Sequence, residues 1–404
     1  MNPISRREFL AGVPSVAVPL FVASGLVVGC GEADPAGTST GTSTGTSTGT
    51  SGEGAGTTIS DPRTAVDRWR MPAEEDPHEQ TWMCWPSSEQ VWGPDLVDVQ
   101  DAIIRIATAI ARFEPVTMLA RPEEIEALGE IFEFGVELLE APVDDLWARD
   151  TLPNFVLRTN GVGELELAAA HATFNGWGDK QIHAGDTQLA AIVAKQLGVQ
   201  LLEFGLVGEG GAVETDGLGT VLAAESCWVN DNRNPGKSRD EIEDSILDML
   251  GADRMIWVDG LAGADITDGH IDTLARFANS TTIVVDKPAF DDPADPWTNV
   301  AATTKALVSA ATTADGQPYE IVEIVQPSEI RGGGDDFLST YMNYYVCNGA
   351  VIAPQFGDAA ADEAARAVLS ELFPDREIVM LNIDALAAGG GGIHCATQQQ
   401  PPVG

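Results

Sequence analysis

The chain has 404 residues, and its 62 acidic side chains exceed the 22 basic ones so strongly that the formal net charge is -40. This charge repels phosphate backbones, and no basic stripe interrupts it, so we expect no nucleic acid among its partners. Because 44% of the residues are hydrophobic, a packed core can form, which excludes disorder along the whole chain. A cationic small molecule would be attracted to so acidic a protein.

The N-terminus resembles a twin-arginine export signal that ends in a lipoprotein cleavage site. Arg6 and Arg7 precede an apolar stretch, residues 11–28, which two prolines interrupt. The stretch ends at Gly29-Cys30, so we expect residues 1–29 to be a signal peptide and Cys30 to be lipidated. The alternative is a short transmembrane anchor, which the prolines disfavour. We therefore expect export to the cell envelope, with the membrane contacted only through the lipid.

Residues 30–61 form the next segment, which is rich in Gly, Ser and Thr and has almost nothing apolar to bury. This composition predicts a flexible tether. The folded body is then expected at residues 62–404 as one catalytic domain. Whether that body forms a homo-oligomer is left open by the sequence, as is a disulfide among its four cysteines, Cys84, Cys227, Cys347 and Cys395.

One succession of elements recurs five times in the body: a strand or hairpin, an amphipathic helix and a short apolar strand. Asn-Gly or Asp-Gly pairs mark hairpin turns at residues 160–161, 216–217 and 348–349. A closed ring of five α/β units would bring loops from every unit to one axis. An ordinary mixed α/β domain is the alternative. The helices are predicted to begin near Leu96, Asp186, Ser238, Thr298 and Ala360, and the strands that follow them cover residues 116–119, 201–204, 255–258, 320–325 and 377–383.

Cys395 is the candidate nucleophile, because it closely follows four glycines, residues 389–392, which permit a tight turn that presents the thiol. The alternative for a lone cysteine is a small buried hydrophobe. His394 is adjacent, but neighbours in an extended segment point to opposite faces, so it need not be the base. His270 and Asp272 are two residues apart, which in a strand places imidazole and carboxylate on one face.

Two further carboxylates stand out. Asp150 follows the aromatic Trp147 closely, and Glu209 lies in a glycine-rich segment, although a single Glu in an acidic protein is most often on the surface. The chain has no Cys-x-x-Cys or His-x-x-x-His spacing, so no metal is expected. Carboxylates, an indole and a thiol together suit a planar guanidinium, which pairs with carboxylates, stacks on Trp and presents a carbon to a thiolate.

A series of motifs in the body resembles, in order, the agmatine deiminases and the bacterial-type (Porphyromonas-type) peptidylarginine deiminases grouped with them. The motifs are Met71-Pro72-Ala73-Glu74, Pro77-His78-Glu79, Thr81-Trp82-Met83, Trp147-Ala148-Arg149-Asp150, Phe174-Asn175-Gly176-Trp177-Gly178, Glu209-Gly210-Gly211, Asn232-Arg233-Asn234-Pro235, Thr267-Asp268-Gly269-His270-Ile271-Asp272, Pro354-Gln355-Phe356-Gly357-Asp358 and Ile393-His394-Cys395 with Thr397-Gln398-Gln399-Gln400-Pro401. They span nearly all of residues 62–404.

The resemblance implies a five-bladed, pseudo-symmetric α/β propeller, the pentein fold of guanidine-modifying enzymes, with the site at its axis. It also implies that Cys395 attacks the guanidinium carbon to form an amidino-cysteine intermediate. His270 would protonate the departing ammonia and then activate water, with Glu209 supporting it. The products would be a ureido compound, such as N-carbamoylputrescine, and ammonia, with no cofactor.

By the same resemblance Asp150 and Asp272 would bind the guanidinium nitrogens, and Trp147 would line the pocket. Two departures bear on the substrate. Many agmatine deiminases have Asn where this chain has Gly392, and they are richer in Asp where this chain has residues 264–266. Peptidylarginine, free arginine or another guanidine therefore stays open beside agmatine. The same residues would also suit amidino transfer to an amine, or guanidine binding without catalysis.

Overall fold

The structure is a computed structural model that describes residues 67–132, 134–334 and 336–403. The expected signal peptide, Cys30 and the tether of residues 30–61 lie outside the described residues, as do residues 62–66 of the expected body. Within the described ranges, every helix is too short or too polar to cross a membrane.

Short strands and five long helices recur in regular alternation along the described residues. The strands are β1 (Gln80–Cys84), β2 (Val116–Ala120), β3 (Val136–Glu140), β4 (Asn154–Thr159), β5 (Leu165–Thr173), β6 (Gln200–Val207), β7 (Val213–Thr215), β8 (Thr220–Ala224), β9 (Arg254–Val258), β10 (Ala275–Asn279), β11 (Thr282–Lys287), β12 (Glu320–Val325), β13 (Tyr345–Cys347), β14 (Ala350–Gln355), β15 (Glu377–Asn382) and β16 (Gln398–Gln400). The long helices are α1 (Leu96–Ile110), α2 (Leu189–Leu197), α3 (Arg239–Leu250), α4 (Pro296–Ala310) and α5 (Ala359–Leu372).

Shorter helices lie between these elements. The α-helical ones are Glu89–Trp92, Ile125–Ile131, Ala148–Thr151, Gly176–Asp179, Glu225–Trp228 and Asp384–Ala387, and the 3-10 turns are Gly93–Asp95, Pro122–Glu124, Asp186–Gln188, Gly210–Ala212 and Ile271–Thr273.

The strands of the described residues form five small sheets, and four of them share one topology. In each of these four, an antiparallel pair is followed by a crossover helix and a third strand parallel to the second: β4-β5-β6, β7-β8-β9, β10-β11-β12 and β13-β14-β15. The crossover helices are α2, α3, α4 and α5. The five units predicted from periodicity and the five-bladed α/β propeller are thereby confirmed, and the ordinary mixed domain is not observed.

The first sheet closes the ring with the two ends of the body. Its order is β16-β1-β2-β3, in which β16 runs antiparallel to β1 and β2 lies parallel to β1 after the crossover of α1. Gln80 pairs with Gln400 and Trp82 with Gln398. Because β16 directly follows the segment that carries Cys395, this pairing holds the candidate nucleophile beside β1, the first strand of the described residues.

Helix α3 shows why the helices lie where the sequence predicts. The Ser238 hydroxyl accepts a hydrogen bond from the Glu241 N–H, and the Glu241 carboxylate accepts one from the Ser238 N–H, which completes a capping box. The helix stops at Gly251, whose φ of 64° is left-handed and therefore suits glycine. On its inner face Ile242 and Ile246 are fully buried. The capping residues and the buried face agree, so both ends of α3 can be predicted from the sequence.

Candidate active site

Five buried polar residues occupy the same place in the repeating unit, shortly before the first strand of a sheet. They are Asp150 before β4, Glu209 before β7, Asp272 before β10, Asn343 before β13 and Cys395 before β16. Equivalent positions in a ring of blades lie around one axis, so residues that are far apart in sequence meet there. Four of these five positions are predicted from the sequence, and Asn343 is not.

Cys395 lies in the turn that precedes β16, and three contacts hold it. Its backbone N–H donates to Oδ1 of Asn343 at 3.2 Å, and its carbonyl accepts from the Arg149 N–H at 3.0 Å. Its Sγ lies 3.6 Å from Oδ2 of Asp272. Burial raises the pKa of the Cys395 thiol well above its usual range, and the charges of Asp272 and Asp150 raise it further. The thiol is therefore neutral before substrate binds, and a bound cation would make it more acidic.

His270 is buried among carboxylates. Its Nε2 lies 3.3 Å from Oε2 of Glu209, and its Nδ1 lies 3.8 Å from Oδ1 of Asp150. Burial lowers the pKa of His270, but the charges of Asp150, Glu209 and Asp272 and the hydrogen bond to Glu209 outweigh it and raise the pKa to about 9. The imidazole is therefore protonated at neutral pH and is suited to act first as an acid.

Glu209 forms a buried ion pair on its other oxygen. The Nε of Arg233 donates to Oε1 of Glu209 at 2.6 Å, and Nη1 of Arg233 contacts Asp268 at 3.1 Å. Burial raises the pKa of Glu209, but the hydrogen bond from His270 and the charge of Arg233 outweigh it and lower the pKa. Glu209 is thus held ionised and fixes Nε2 of His270, which leaves Nδ1 as the nitrogen that can exchange a proton with a ligand.

Asp150 receives one donor on each oxygen. Nε1 of Trp177 donates to Oδ2 at 3.0 Å, and the Gly211 N–H donates to Oδ1 at 3.0 Å. Trp177 adopts a left-handed φ of 55°, an uncommon conformation for an aromatic residue, in the short turn that delivers its indole to the site. Burial raises the pKa of Asp150 to about 6, with the nearby charges of Glu209 and Asp272 adding to the rise and that of His270 opposing it.

Two buried polar atoms of the site have no hydrogen-bond partner within the described residues: Nδ1 of His270 and Oδ1 of Asp272. A buried polar atom without a partner is costly, so both atoms mark where a polar ligand would lie. Gly211 borders the same space, because a Cβ there would lie 2.7 Å from His270 Nδ1, 2.9 Å from Asp150 Oδ1 and 3.2 Å from Asp272 Oδ2. The absence of a side chain at Gly211 keeps these three groups close together.

Trp147 lies against the glycine-rich segment that leads to Cys395. It is buried, and a Cβ on Gly391 would come within 2.2 Å of its ring. Its ring also packs on Trp92, with the centroids 6.0 Å apart. The glycines thus permit close approach of the backbone to an indole, in addition to the turn expected from the sequence.

One local prediction is wrong. His270 and Asp272 are not in a strand, because His270 directly precedes the 3-10 turn Ile271–Thr273 and β10 starts only at Ala275. Asp268 and Gly269 both have positive φ values, 66° and 88°, and so turn the chain sharply before the site. The two side chains still meet at the axis through this turn.

Asn343, Arg233, Trp177 and Gly211 were not assigned site roles from the sequence. Asn343 links the Cys395 N–H to Asp272, to which its Nδ2 donates at 3.1 Å. An uncharged amide gives no titratable signal, but its place just before β13 could have revealed it. The position within the repeating unit is therefore the sequence signal that identifies Asn343 as the fifth residue of the site.

The sequence left open whether a disulfide forms in the body. The four cysteines of the described residues, Cys84, Cys227, Cys347 and Cys395, are all free and buried, so no disulfide joins any two of them. Burial also raises the pKa values of the Cys84, Cys227 and Cys347 thiols. No cluster of three or more His, Cys, Asp or Glu residues suited to a metal ion occurs within residues 67–132, 134–334 and 336–403.

Comparison with known proteins gives a consistent result. The family model for Porphyromonas-type peptidyl-arginine deiminase matches residues 70–401. An agmatine deiminase from Pseudomonas putida is 37% identical over 373 residues, which cover 85% of this chain and 98% of that protein. An agmatine deiminase from Medicago truncatula is 34% identical over 364 residues, covering 83% of this chain and 97% of that protein.

Solved structures agree with these relatives. The structure of the agmatine deiminase of Enterococcus faecalis matches with a TM-score of 0.77 at 28% identity, covering 83% of this chain and 96% of that chain. The similarity thus covers nearly the whole of that protein and 83% of this chain.

Proposed function

Because the chain belongs to the Porphyromonas-type peptidyl-arginine deiminase family, we propose that it hydrolyses a guanidinium group to a ureido group and ammonia, with agmatine as the leading substrate. The observation that carries the proposal is the convergence of one thiol, one protonated imidazole and three carboxylates in a buried site. Such a set binds a planar cation and also supplies a nucleophile and a proton.

Binding is the first step of the proposed mechanism. Asp150 and Asp272 accept N–H groups of the guanidinium, and the free Oδ1 of Asp272 gains a partner. The bound cation offsets the negative charges that raise the pKa of Cys395, so the thiol can release its proton to water and ionise beside the cation. The thiolate then attacks the guanidinium carbon, and a carbon–sulfur bond forms.

Departure of ammonia is the next step. His270 gives its Nδ1 proton to one amino group of the tetrahedral adduct, the carbon–nitrogen bond breaks, and an amidino group remains on Cys395. The neutral His270 then takes a proton from water, and the hydroxide adds to the same carbon. The carbon–sulfur bond breaks and the hydroxyl proton of this second adduct is released as the ureido product forms, and the departing thiolate and the ammonia each take up one proton. In sum, a guanidinium and water give a ureide and an ammonium ion.

Agmatine is favoured over larger guanidines by burial and by charge. Every group of the site is buried, so only a slender chain can bring its guanidinium to the axis. A dication is also attracted to a chain of net charge -40 more strongly than a zwitterion such as arginine. Relatives named agmatine deiminase support the same choice. Peptidylarginine and free arginine are the alternatives, because the resemblance to agmatine deiminases departs at Gly392, where many of them have Asn.

A substrate panel tests the proposal. The purified body is incubated with agmatine, arginine and an arginyl peptide, and ammonia and ureido product are measured. Equal amounts of both products from agmatine are expected. An amine product in place of the ureide would indicate amidino transfer, and tight binding without turnover would indicate a binding protein. Either result, or inactivity on every guanidine, would contradict the proposed hydrolysis.

The affinity for agmatine is predicted to fall as the pH falls through about 6. Asp150, with its pKa raised to about 6, binds the cation only as a carboxylate, so protonation removes a partner of the guanidinium. Between pH 7 and pH 5 the ionised fraction falls about tenfold, and the affinity should fall by about the same factor. Calorimetric titration of the Cys395→Ala protein measures this without turnover.

The matched control is the Cys395→Ala protein that also carries Asp150→Asn. Its affinity should be weaker at neutral pH and nearly constant over the same pH range. An unchanged affinity between pH 7 and pH 5 in the protein that retains Asp150 would rule out this role for its carboxylate.

We further propose that the enzyme is exported as a lipoprotein anchored through Cys30, which the twin-arginine motif and the Gly29-Cys30 junction support. In cells that make the full chain, a labelled fatty acid should be incorporated, and the protein should sediment with membranes. Cys30→Ser should lose the label and become extractable without detergent, while Cys84→Ser should keep both properties. Equal labelling of the Cys30→Ser protein would contradict the anchor.

A further inference from the structure

His394 is held between two carboxylates directly beside the candidate nucleophile Cys395. Its Nδ1 lies 2.8 Å from Oδ2 of Asp272, and its Nε2 lies 2.8 Å from Oε2 of Glu74. Oε1 of Glu214 is also 3.7 Å from Nε2. The ring is buried, so water does not replace these partners.

Glu74 is itself surrounded by donors. Nη2 of Arg149 contacts its Oε2 at 3.1 Å, Nη2 of Arg276 lies 3.0 Å from its Oε1, and the Val346 N–H donates to Oε1 at 2.9 Å. A carboxylate with this many donors accepts on both oxygens and has no need of a proton. Burial raises the pKa of Glu74, but the charges of Arg276, His394 and Arg149 outweigh it and hold the pKa well below its usual range.

Asp272 is the partner on the other side of His394. Its Oδ2 accepts from His394 and from Nδ2 of Asn343, and the same oxygen lies 3.6 Å from Sγ of Cys395. Burial raises the pKa of Asp272, but the hydrogen bond and charge of His394 outweigh it and lower the pKa. Because Oε2 of Glu74 already accepts from Arg149 and Oδ2 of Asp272 already accepts from Asn343, both oxygens act as acceptors toward His394, and each ring nitrogen is placed to donate to one of them.

These contacts determine which oxygen of Asp272 stays available to a ligand, namely Oδ1. Oδ2 is occupied by His394 and Asn343, which fixes the rotation of the carboxylate and leaves Oδ1 without a partner among the described residues. Arg149 secures the same turn, because its Nε donates to the His394 carbonyl at 3.3 Å and its backbone N–H donates to the Cys395 carbonyl at 3.0 Å. The turn that carries the thiol and the carboxylate that binds the cation are thus fixed together.

We propose that His394, as a doubly protonated imidazolium, is a positioning residue that keeps Asp272 ionised and turned toward the substrate guanidinium. Glu74, bonded to Arg149 and Arg276, holds the other end of the imidazolium and so orients it. His394 therefore acts through Asp272 and does not exchange protons with the substrate, a task left to His270. This inference rests on the proposed guanidine hydrolysis.

His394→Gln tests the role, because a glutamine amide supplies no charge and cannot donate to both carboxylates with ring geometry. In the Cys395→Ala background, the affinity for agmatine should weaken by about ten- to a hundredfold, the usual consequence of losing a charged hydrogen bond at a binding group. In the protein with an intact thiol, KM should rise by a larger factor than kcat falls. Thermal unfolding monitors the fold of each variant.

His171→Gln is the matched control. His171 is also buried, in β5, where it pairs with Glu203 of β6, and no step of the proposed mechanism uses it. It should leave agmatine affinity and KM unchanged even if its unfolding temperature falls. Wild-type affinity and KM in a folded His394→Gln protein would overturn the positioning role, while activity of the wild-type protein would show that the proposed hydrolysis itself stands. Inactivity of the wild type on every guanidine would instead remove the proposed function.

A measurement on the unmodified protein tests the protonation of the His394 ring directly. The protein is labelled with nitrogen-15 in its five histidines, and the ring signals are recorded at neutral pH. Both ring nitrogens of His394 should carry a hydrogen that exchanges slowly with solvent, since both hydrogen bonds are buried. The signals are assigned by their loss in His394→Gln. An unprotonated nitrogen in this ring would overturn the proposal.

Discussion

Replacing Cys395 by alanine is expected to lower the rate of guanidine hydrolysis by a factor of about 10⁴ or more, because removal of the nucleophile ends the covalent route. The fold should survive, since the residue's backbone contacts to Asn343 and Arg149 do not involve the side chain. Substrate affinity should also persist, because Asp150 and Asp272 remain. A loss of rate with retained binding separates chemistry from recognition.

Ammonia release, agmatine affinity and thermal unfolding measure the effect together. Cys347→Ala is the matched control, because Cys347 is another buried free thiol, in β13, and no step of the proposed mechanism uses it. It should keep full activity and lose at most some stability through the small cavity. Substantial activity in the Cys395→Ala protein would eliminate the covalent mechanism.

Replacing His270 by glutamine is expected to lower kcat by about 10²- to 10⁴-fold, the usual range for the loss of a general acid and base. The pKa of about 9 makes His270 a proton donor at neutral pH, and its Nδ1 faces the site because Glu209 occupies Nε2. Glutamine can occupy part of the space but cannot transfer a proton. Both the release of ammonia and the activation of water should therefore slow.

An analogue in which a methylthio group replaces the leaving amine separates the two steps. A thiolate leaves without needing a proton, so the first-turnover burst of thiol should be nearly normal in His270→Gln, while later turnovers remain slow. His171→Gln, a change in a buried histidine outside the site, should behave as wild type. A burst as slow as the reaction with agmatine would show that His270 acts in some way other than proton transfer.

The repeating unit could be predicted because its signals are local. The capping box of Ser238 and Glu241 and the stop at Gly251 fix the ends of α3 within a few residues of sequence. The hairpin of β4 and β5 likewise turns at the predicted pair Asn160-Gly161. Signals of this kind need no tertiary partner, so five such units could be recognised before their arrangement was known.

Strand β16 could not be predicted from any local pattern. Its three glutamines, residues 398–400, show no alternation of apolar and polar side chains, yet all three are buried. Side chains distant in sequence satisfy them: Nε1 of Trp82 donates to Gln400 at 2.9 Å, and Nη1 of Arg149 donates to Gln399 at 2.7 Å. The strand forms because the folded ring supplies these partners.

The residues of the site also fall into two groups, those that the sequence predicts and those that only the fold reveals. Charged and nucleophilic residues such as Cys395 and His270 carry recognisable chemistry, and the sequence predicts them. The neutral Asn343 and the distant Glu74 act only through contacts that the fold creates. Only the place of Asn343 in the repeating unit could have indicated its role, and no local signal indicates that of Glu74. The site also clarifies the net charge of -40, since only three of the acidic side chains, Asp150, Glu209 and Asp272, meet at the axis, where they are proposed to act on the cation, and most of the others lie elsewhere.

Trapping the covalent intermediate tests the central claim most directly. Wild-type protein is mixed with agmatine, quenched in acid during turnover, digested and analysed by mass spectrometry. The account predicts an adduct on Cys395 with the mass of the substrate less ammonia, and it predicts none on Cys84, Cys227 or Cys347. Continued turnover with no adduct on Cys395, or an adduct on one of the other cysteines, would contradict it.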